Sequence, residues 1–143
     1  MKICIIGCGA VGSLFAAHLA RAGEAEVWAY DVWKEHTDAI RNQGLRLSGA
    51  AEFTSRLNAT SNPRELPRCD YGIVATKAIH TRHAITQTAH IFDERSAVCS
   101  VQNGVGNEEI IAVVVHGPID HVAVRVHKER SRERSNDSSP QIA

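Results

Sequence analysis

The stretch "KICIIGCGAVGSLFAAHLARAG", residues 2–23, decides the fold. Residues 2–6 are a short apolar run rich in β-branched side chains, which predicts a buried strand. From Ala10 to Ala22 the pattern becomes helical, and Val11, Leu14, Phe15 and Leu19 fall on one side of that helix. Gly23 supplies the stop signal. Between strand and helix stand Gly7, Gly9 and Gly12, spaced G-x-G-x-x-G. Lys2 and the apolar run also mimic a signal peptide. The closely spaced glycines break an apolar helix, however, and His18 and Arg21 interrupt the run well short of membrane-spanning length.

Each glycine has a physical reason at its place. Gly7 permits a tight turn, Gly9 lets a ligand approach the backbone without a β-carbon in the way, and Gly12 lets helix and strand pack closely. The free N–H groups at the start of the helix then face an anion, as in a dinucleotide pyrophosphate. The context this motif requires is present. A strand precedes it, a helix follows, and Asp31 stands at the end of the next strand, nineteen residues beyond Gly12. A carboxylate there accepts hydrogen bonds from ribose hydroxyls and repels a 2′-phosphate, which favours NADH over NADPH. Lys34, three residues on, is placed to soften that repulsion.

Outward from this unit the chain alternates strands and helices. "AEVWAYD" (25–31), "CDYGIVATK" (69–77) and "SAVCSVQNG" (96–104) read as strands. Residues 32–44 and 78–92 read as helices, and "NEEIIA" (107–112) opens another with acidic residues in its first turn. "LRLSG" and "EFTSRLNAT" alternate apolar and polar residues and predict a pair of exposed short strands. The expected architecture is α/β: a doubly wound, Rossmann-type parallel sheet with helices on both faces.

The composition excludes several classes. Sixteen basic residues balance sixteen acidic ones, so net charge gives no case for nucleic acid or membrane as partner. Cys4, Cys8, Cys69 and Cys99 have no C-x-x-C spacing and read as reduced thiols in a cytoplasmic protein. His80, His83 and His90 share a helical face but lack the tighter cluster a metal site needs, and no metal is expected. After about Ala112 the periodicity fades, and residues 128–139 contain no apolar side chain. Such a segment cannot bury enough surface to order itself. The expected division is a dinucleotide-binding domain over residues 1–112 and a divergent, partly disordered tail over residues 113–143.

The order "KICIIGCGAVGSLFAAHLARAG", "GLRLSG", "DYGIVATKA", "SVQNGVGNEE" resembles the N-terminal domain of ketopantoate reductases (2-dehydropantoate 2-reductases). The resemblance implies reduction of a 2-oxo acid to a 2-hydroxy acid, with NADPH as the family default against the NADH favoured by Asp31. It implies that Gly7, Cys8, Gly9, Ala10, Val11 and Gly12 line the pyrophosphate, and that Lys77 and Asn103 face nicotinamide and substrate. Both of these residues close predicted strands, where open α/β sheets bind ligands. Family members continue into a helical domain that supplies a general-acid lysine and a substrate-binding glutamate. No match to that domain is found in residues 113–143, so the expectation is a truncated or frame-shifted chain, weakly active or inactive alone. The alternative is a non-catalytic dinucleotide-binding module or one subunit of a split enzyme.

Overall fold

The computed structural model describes residues 1–50 and 52–116. Seven strands form in chain order: β1 (Lys2–Ile6), β2 (Glu26–Tyr30), β3 (Leu45–Leu47), β4 (Phe53–Ser55), β5 (Asn58–Thr60), β6 (Tyr71–Val74) and β7 (Ala97–Ser100). Four α-helices intervene: α1 (Ala10–Ala22), α2 (Lys34–Gln43), α3 (Thr81–Thr88) and α4 (Asn107–His116). Five strands make one sheet in the order β5-β2-β1-β6-β7, and every pairing in it is parallel. The chain steps outward from β1 to β2 and β5, then returns to the other side of β1. That reversal between β1 and β6 is the topological switch point at which such sheets open a crevice.

β1 shows why the sheet is covered on both faces. Ile3 and Ile5 join one core cluster with Ala16, Ala17, Val27 and Ile40, against α1 and α2. Cys4 and Ile6 join the other with Val74, Ile85, Ile91 and Ile111, against α3 and α4. A strand buried on both sides must be apolar at every position, and the run Ile3–Ile6 is. The doubly wound Rossmann-type expectation therefore holds.

Three local expectations need correction. The residues of α1 that face the sheet are Gly12, Ala16 and Ala17, whereas Val11, Leu14 and Phe15 are exposed. Close approach of helix to sheet admits only small side chains there, so the larger ones turn outward. "EFTSRLNAT" divides in two. β4 pairs antiparallel with β3, but β5 joins the main sheet beside β2, with Ala59 and Thr60 buried. The Arg41 guanidinium secures this edge by donating twice to the Ala59 carbonyl, at 3.0 and 2.8 Å. Finally, residues 78–92 are not one helix: α3 is flanked by 3₁₀ turns over Ala78–His80 and Ala89–Ile91.

Helix α4 continues to His116, so the boundary expected at residue 112 falls within it. The tail expected beyond His116 lies outside the described residues. Among the described residues, no helix is long and apolar enough to cross a membrane. All four thiols are free; Cys4, Cys8 and Cys69 are buried, and Cys99 is exposed on edge strand β7.

Candidate functional site

The glycine turn is built against its neighbours in a way the residue types explain. Gly7 has φ +93°, and a β-carbon there would lie 2.7 Å from Thr76 Cγ2 and 2.8 Å from Thr76 N. A β-carbon on Gly12 would fall 1.8 Å from the Gly7 carbonyl oxygen. Gly9 is the opposite case, since a β-carbon there meets nothing within 4 Å. It caps α1 without a side-chain hydrogen bond, and the first turn of α1 holds no acidic residue. The amides at this end of α1 therefore open onto free space with positive partial charge outward.

That space is a cleft of about 720 Å³ along the carboxyl ends of β1, β2, β6 and β7. Gly7, Gly9, Ala10, Val11, Asp31 and Val32 line it together with Lys77 and Asn103, and the sheet order puts Asp31, after β2, on one side of β1 and Lys77 and Asn103, after β6 and β7, on the other. The volume lies within the range of small-molecule and cofactor sites. Strand pairing carries through to these ends: the Gly7 amide donates to the Tyr30 carbonyl at 2.8 Å, and the Ala75 amide to the Ile6 carbonyl at 2.8 Å. The rim is thus as fixed as the sheet.

Two residues expected at the pyrophosphate stand behind the turn instead of lining the cleft. Gly12 is buried inside the helix–sheet contact. Cys8 is 2% exposed, with its side chain in the core cluster beneath α1. Burial, reinforced by the charge of Asp31, pushes the Cys8 thiol up to about 12. It is a packing thiol and no nucleophile at neutral pH. Its backbone does the work of the turn: the amide donates to Asp31, and the carbonyl accepts from Ser13 Oγ at 2.9 Å.

Asp31 is held by two backbone amides. Oδ2 accepts from Cys8 N at 2.7 Å and Oδ1 from Trp33 N at 3.0 Å. Each oxygen keeps a second lone pair for a ligand hydroxyl. Lys34 does not neutralise it, because its ammonium pairs with Asp38 one helical turn on. The Asp31 side chain lines the cleft and, among the described residues, forms no ion pair.

Lys77 is exposed and precedes the 78–80 turn, its carbonyl accepting the His80 amide at 2.8 Å. Among the described residues it forms no ion pair. Asn103 is likewise exposed, in the loop after β7. Sequence reasoning missed several neighbours. His80 and His83 also line the cleft, as do Thr76 and Gln102. His36 Nε2 lies 3.0 Å from the Cys8 carbonyl, and its ring stacks on Trp33 with centroids 5.5 Å apart. The i, i+3 spacing of His80 and His83 was a visible signal. His36 meets a backbone carbonyl and Gln102 meets the Thr76 carbonyl and the hydroxyls of Thr76, Thr81 and Ser100, contacts that leave no mark in residue spacing. Among the described residues, no group of three or more His, Cys, Asp or Glu is placed to hold a metal ion.

The family described as ketopantoate reductase PanE/ApbA matches residues 3–134 of the chain. The 2-dehydropantoate 2-reductase of Pyrococcus abyssi is 40% identical over 113 residues, covering 78% of this chain and 36% of that protein. That of Lactococcus lactis is 34% identical over 114 residues, with the same coverage of 78% and 36%. The chain thus spans little more than a third of the length of these curated relatives. Among solved structures, D-mandelate dehydrogenase with NADH and anilino(oxo)acetate superposes with TM-score 0.73 and 29% identity, covering 81% of this chain and 38% of that one. A PanE/ApbA family ketopantoate reductase from Ralstonia eutropha gives TM-score 0.71 and 31% identity, over 80% and 38% of the two chains. The sheet order, the glycine turn and the match over most of the sequence agree, and the chain belongs to the ketopantoate reductase PanE/ApbA family.

Proposed function

We propose that this chain is the dinucleotide-binding part of a reductase that converts a 2-oxo acid to a 2-hydroxy acid, of the 2-dehydropantoate 2-reductase kind, and that its cofactor is NADH. The observation that carries this is the open, uncapped start of α1 beneath a cleft whose far end holds the Asp31 carboxylate. Gly9 leaves room for a pyrophosphate to reach the helix amides. The free lone pairs of Asp31 suit two ribose hydroxyls, and its unneutralised charge opposes a 2′-phosphate. A structure to which this chain is similar, D-mandelate dehydrogenase, is solved with NADH.

When bound, the reduced nicotinamide supplies the hydride. Lys77 and Asn103 stand at the carboxyl ends of β6 and β7, on the side of the cleft away from Asp31. We assign Lys77 to the substrate carboxylate or cofactor phosphate, and Asn103 to the ribose or the reacting oxygen. Hydride transfer also needs a proton donor for the developing alkoxide, and lacking one costs roughly 10² to 10⁴ in rate. In this reading the donor belongs to the helical domain that the resemblance implies for members of the family.

Amide hydrogen exchange tests the placement. NADH should slow exchange in residues 7–13 and 76–80 together. Protection elsewhere with none at the glycine turn would overturn it.

A further inference from the structure

Beneath the Lys77–Asn103 end of the cleft runs a closed chain of side-chain hydrogen bonds. The Gln102 amide nitrogen donates to Thr81 Oγ1 at 2.7 Å and also reaches Thr76 O at 2.7 Å and Thr76 Oγ1 at 2.9 Å. The Thr81 hydroxyl donates onward to Asn107 Oδ1 at 3.0 Å. Asn107 Nδ2 then points at the carbonyls of Asn103 and Gly104, each at 3.5 Å. The other end of Gln102 is fixed too, with Oε1 accepting from Ser100 Oγ at 3.1 Å. The direction of the chain is forced. Turning the Gln102 amide over would set its oxygen against the Thr76 carbonyl.

The location gives the chain its consequence. Gln102 adjoins Asn103 after β7. Thr76 adjoins Lys77 after β6. Thr81 begins α3, and Asn107 begins α4. Thr81 is 0% exposed and Asn107 3%, so water cannot replace a bond lost between them. The backbone of the Lys77 loop and that of the Asn103 loop are therefore held in one register by three side chains that do not themselves carry the proposed ligand contacts.

We propose that Thr81, Gln102 and Asn107 are positioning residues that set Lys77 and Asn103 against a single ligand; this rests on the dinucleotide reading above. The two loops act as one unit, and breaking the chain at Thr81 loosens both.

Thr81→Val keeps the shape and removes both donor and acceptor, while Thr81→Ser keeps the hydroxyl. Thr81→Val should weaken NADH binding about tenfold, and Thr81→Ser should restore it to within about twofold of the unaltered chain. In a Lys77→Ala, Asn103→Ala background, Thr81→Val should cost no further affinity, because the residues through which it acts are gone. Amide exchange should quicken in residues 76–80 and 102–106 together. Equal weakening in both backgrounds, unchanged affinity, or faster exchange confined to α3 would overturn the proposal. If the unaltered chain binds neither NADH nor NADPH, the cofactor reading falls. The exchange measurement then still decides whether the loops are coupled.

Discussion

Asp31 Oδ2 accepts the backbone amide of Cys8 at 2.7 Å, so the carboxylate at the end of β2 is a structural tie of the glycine turn as well as the ribose ligand we propose. On the proposed reading, one residue links cofactor choice to the shape of the glycine turn. Asp31→Asn keeps an acceptor for one amide but loses the charge. We predict that it weakens NADH and strengthens NADPH, moving the affinity ratio about tenfold or more toward NADPH. Asp31→Ala should also lower stability by about 1–3 kcal/mol by stripping the partner from the Cys8 amide. Paired calorimetric titrations and thermal melts separate the two effects.

The two glycines of α1 should respond in opposite ways. Gly9→Ala adds a methyl group to open space. Its melting temperature should stay within a few degrees of the unaltered chain, while NADH affinity falls at least about tenfold because the methyl stands where the phosphates approach. Gly12→Ala forces a methyl group into the Gly7 carbonyl, 1.8 Å away. It should cost about 3 kcal/mol of stability through overpacking, visible in denaturant melts with no cofactor present.

The fold was legible where chemistry is local. The β-branched run Ile3–Ile6, the glycine spacing and Asp31 each have one physical use in a strand–turn–helix–strand unit, and the structure places them in it. What was not legible depended on neighbours distant in sequence. The spacing of Val11, Leu14 and Phe15 marks a helix but not its buried side, because Gly12, Ala16 and Ala17 leave the closest approach to the sheet. Strand β5 is three residues long, and it is placed by partners distant in sequence, its ladder with β2 and the Arg41 guanidinium that donates to the Ala59 carbonyl. Gln102 reads as one more polar residue in a turn until Thr76 and Thr81 are brought to it by β6 and α3.

Cys8 gives a pH dependence of definite sign. Its thiol is raised from an ordinary 9.0 to about 12 in the folded chain, by burial first and by Asp31 second. Between these values the unfolded chain has lost the proton and the folded chain has kept it. The stability contribution is therefore complete below pH 9 and is lost as pH climbs toward 12. Melting temperature should fall over this alkaline window, and Cys8→Ala should fall less steeply than the unaltered chain. Parallel slopes in the two proteins would contradict the assignment.

Arg41 offers a test of the sheet edge that leaves the cleft untouched. Arg41→Ala removes both hydrogen bonds to Ala59 and the 3.2 Å contact with Glu65. It should cost about 1–3 kcal/mol, as expected for charge-assisted hydrogen bonds to a carbonyl. Exchange should quicken at β5 while NADH affinity holds. Loss of cofactor binding in this variant would show that β5 shapes the Asp31 end of the site more directly than its contacts indicate.

The most direct measurement is a calorimetric titration of the folded chain with NADH and, separately, with NADPH. The account predicts saturable binding of NADH at one site per chain and weaker binding of NADPH. Tighter NADPH binding would contradict the role given to Asp31, and no heat with either cofactor from a chain shown to be folded would contradict the reading of the glycine turn itself.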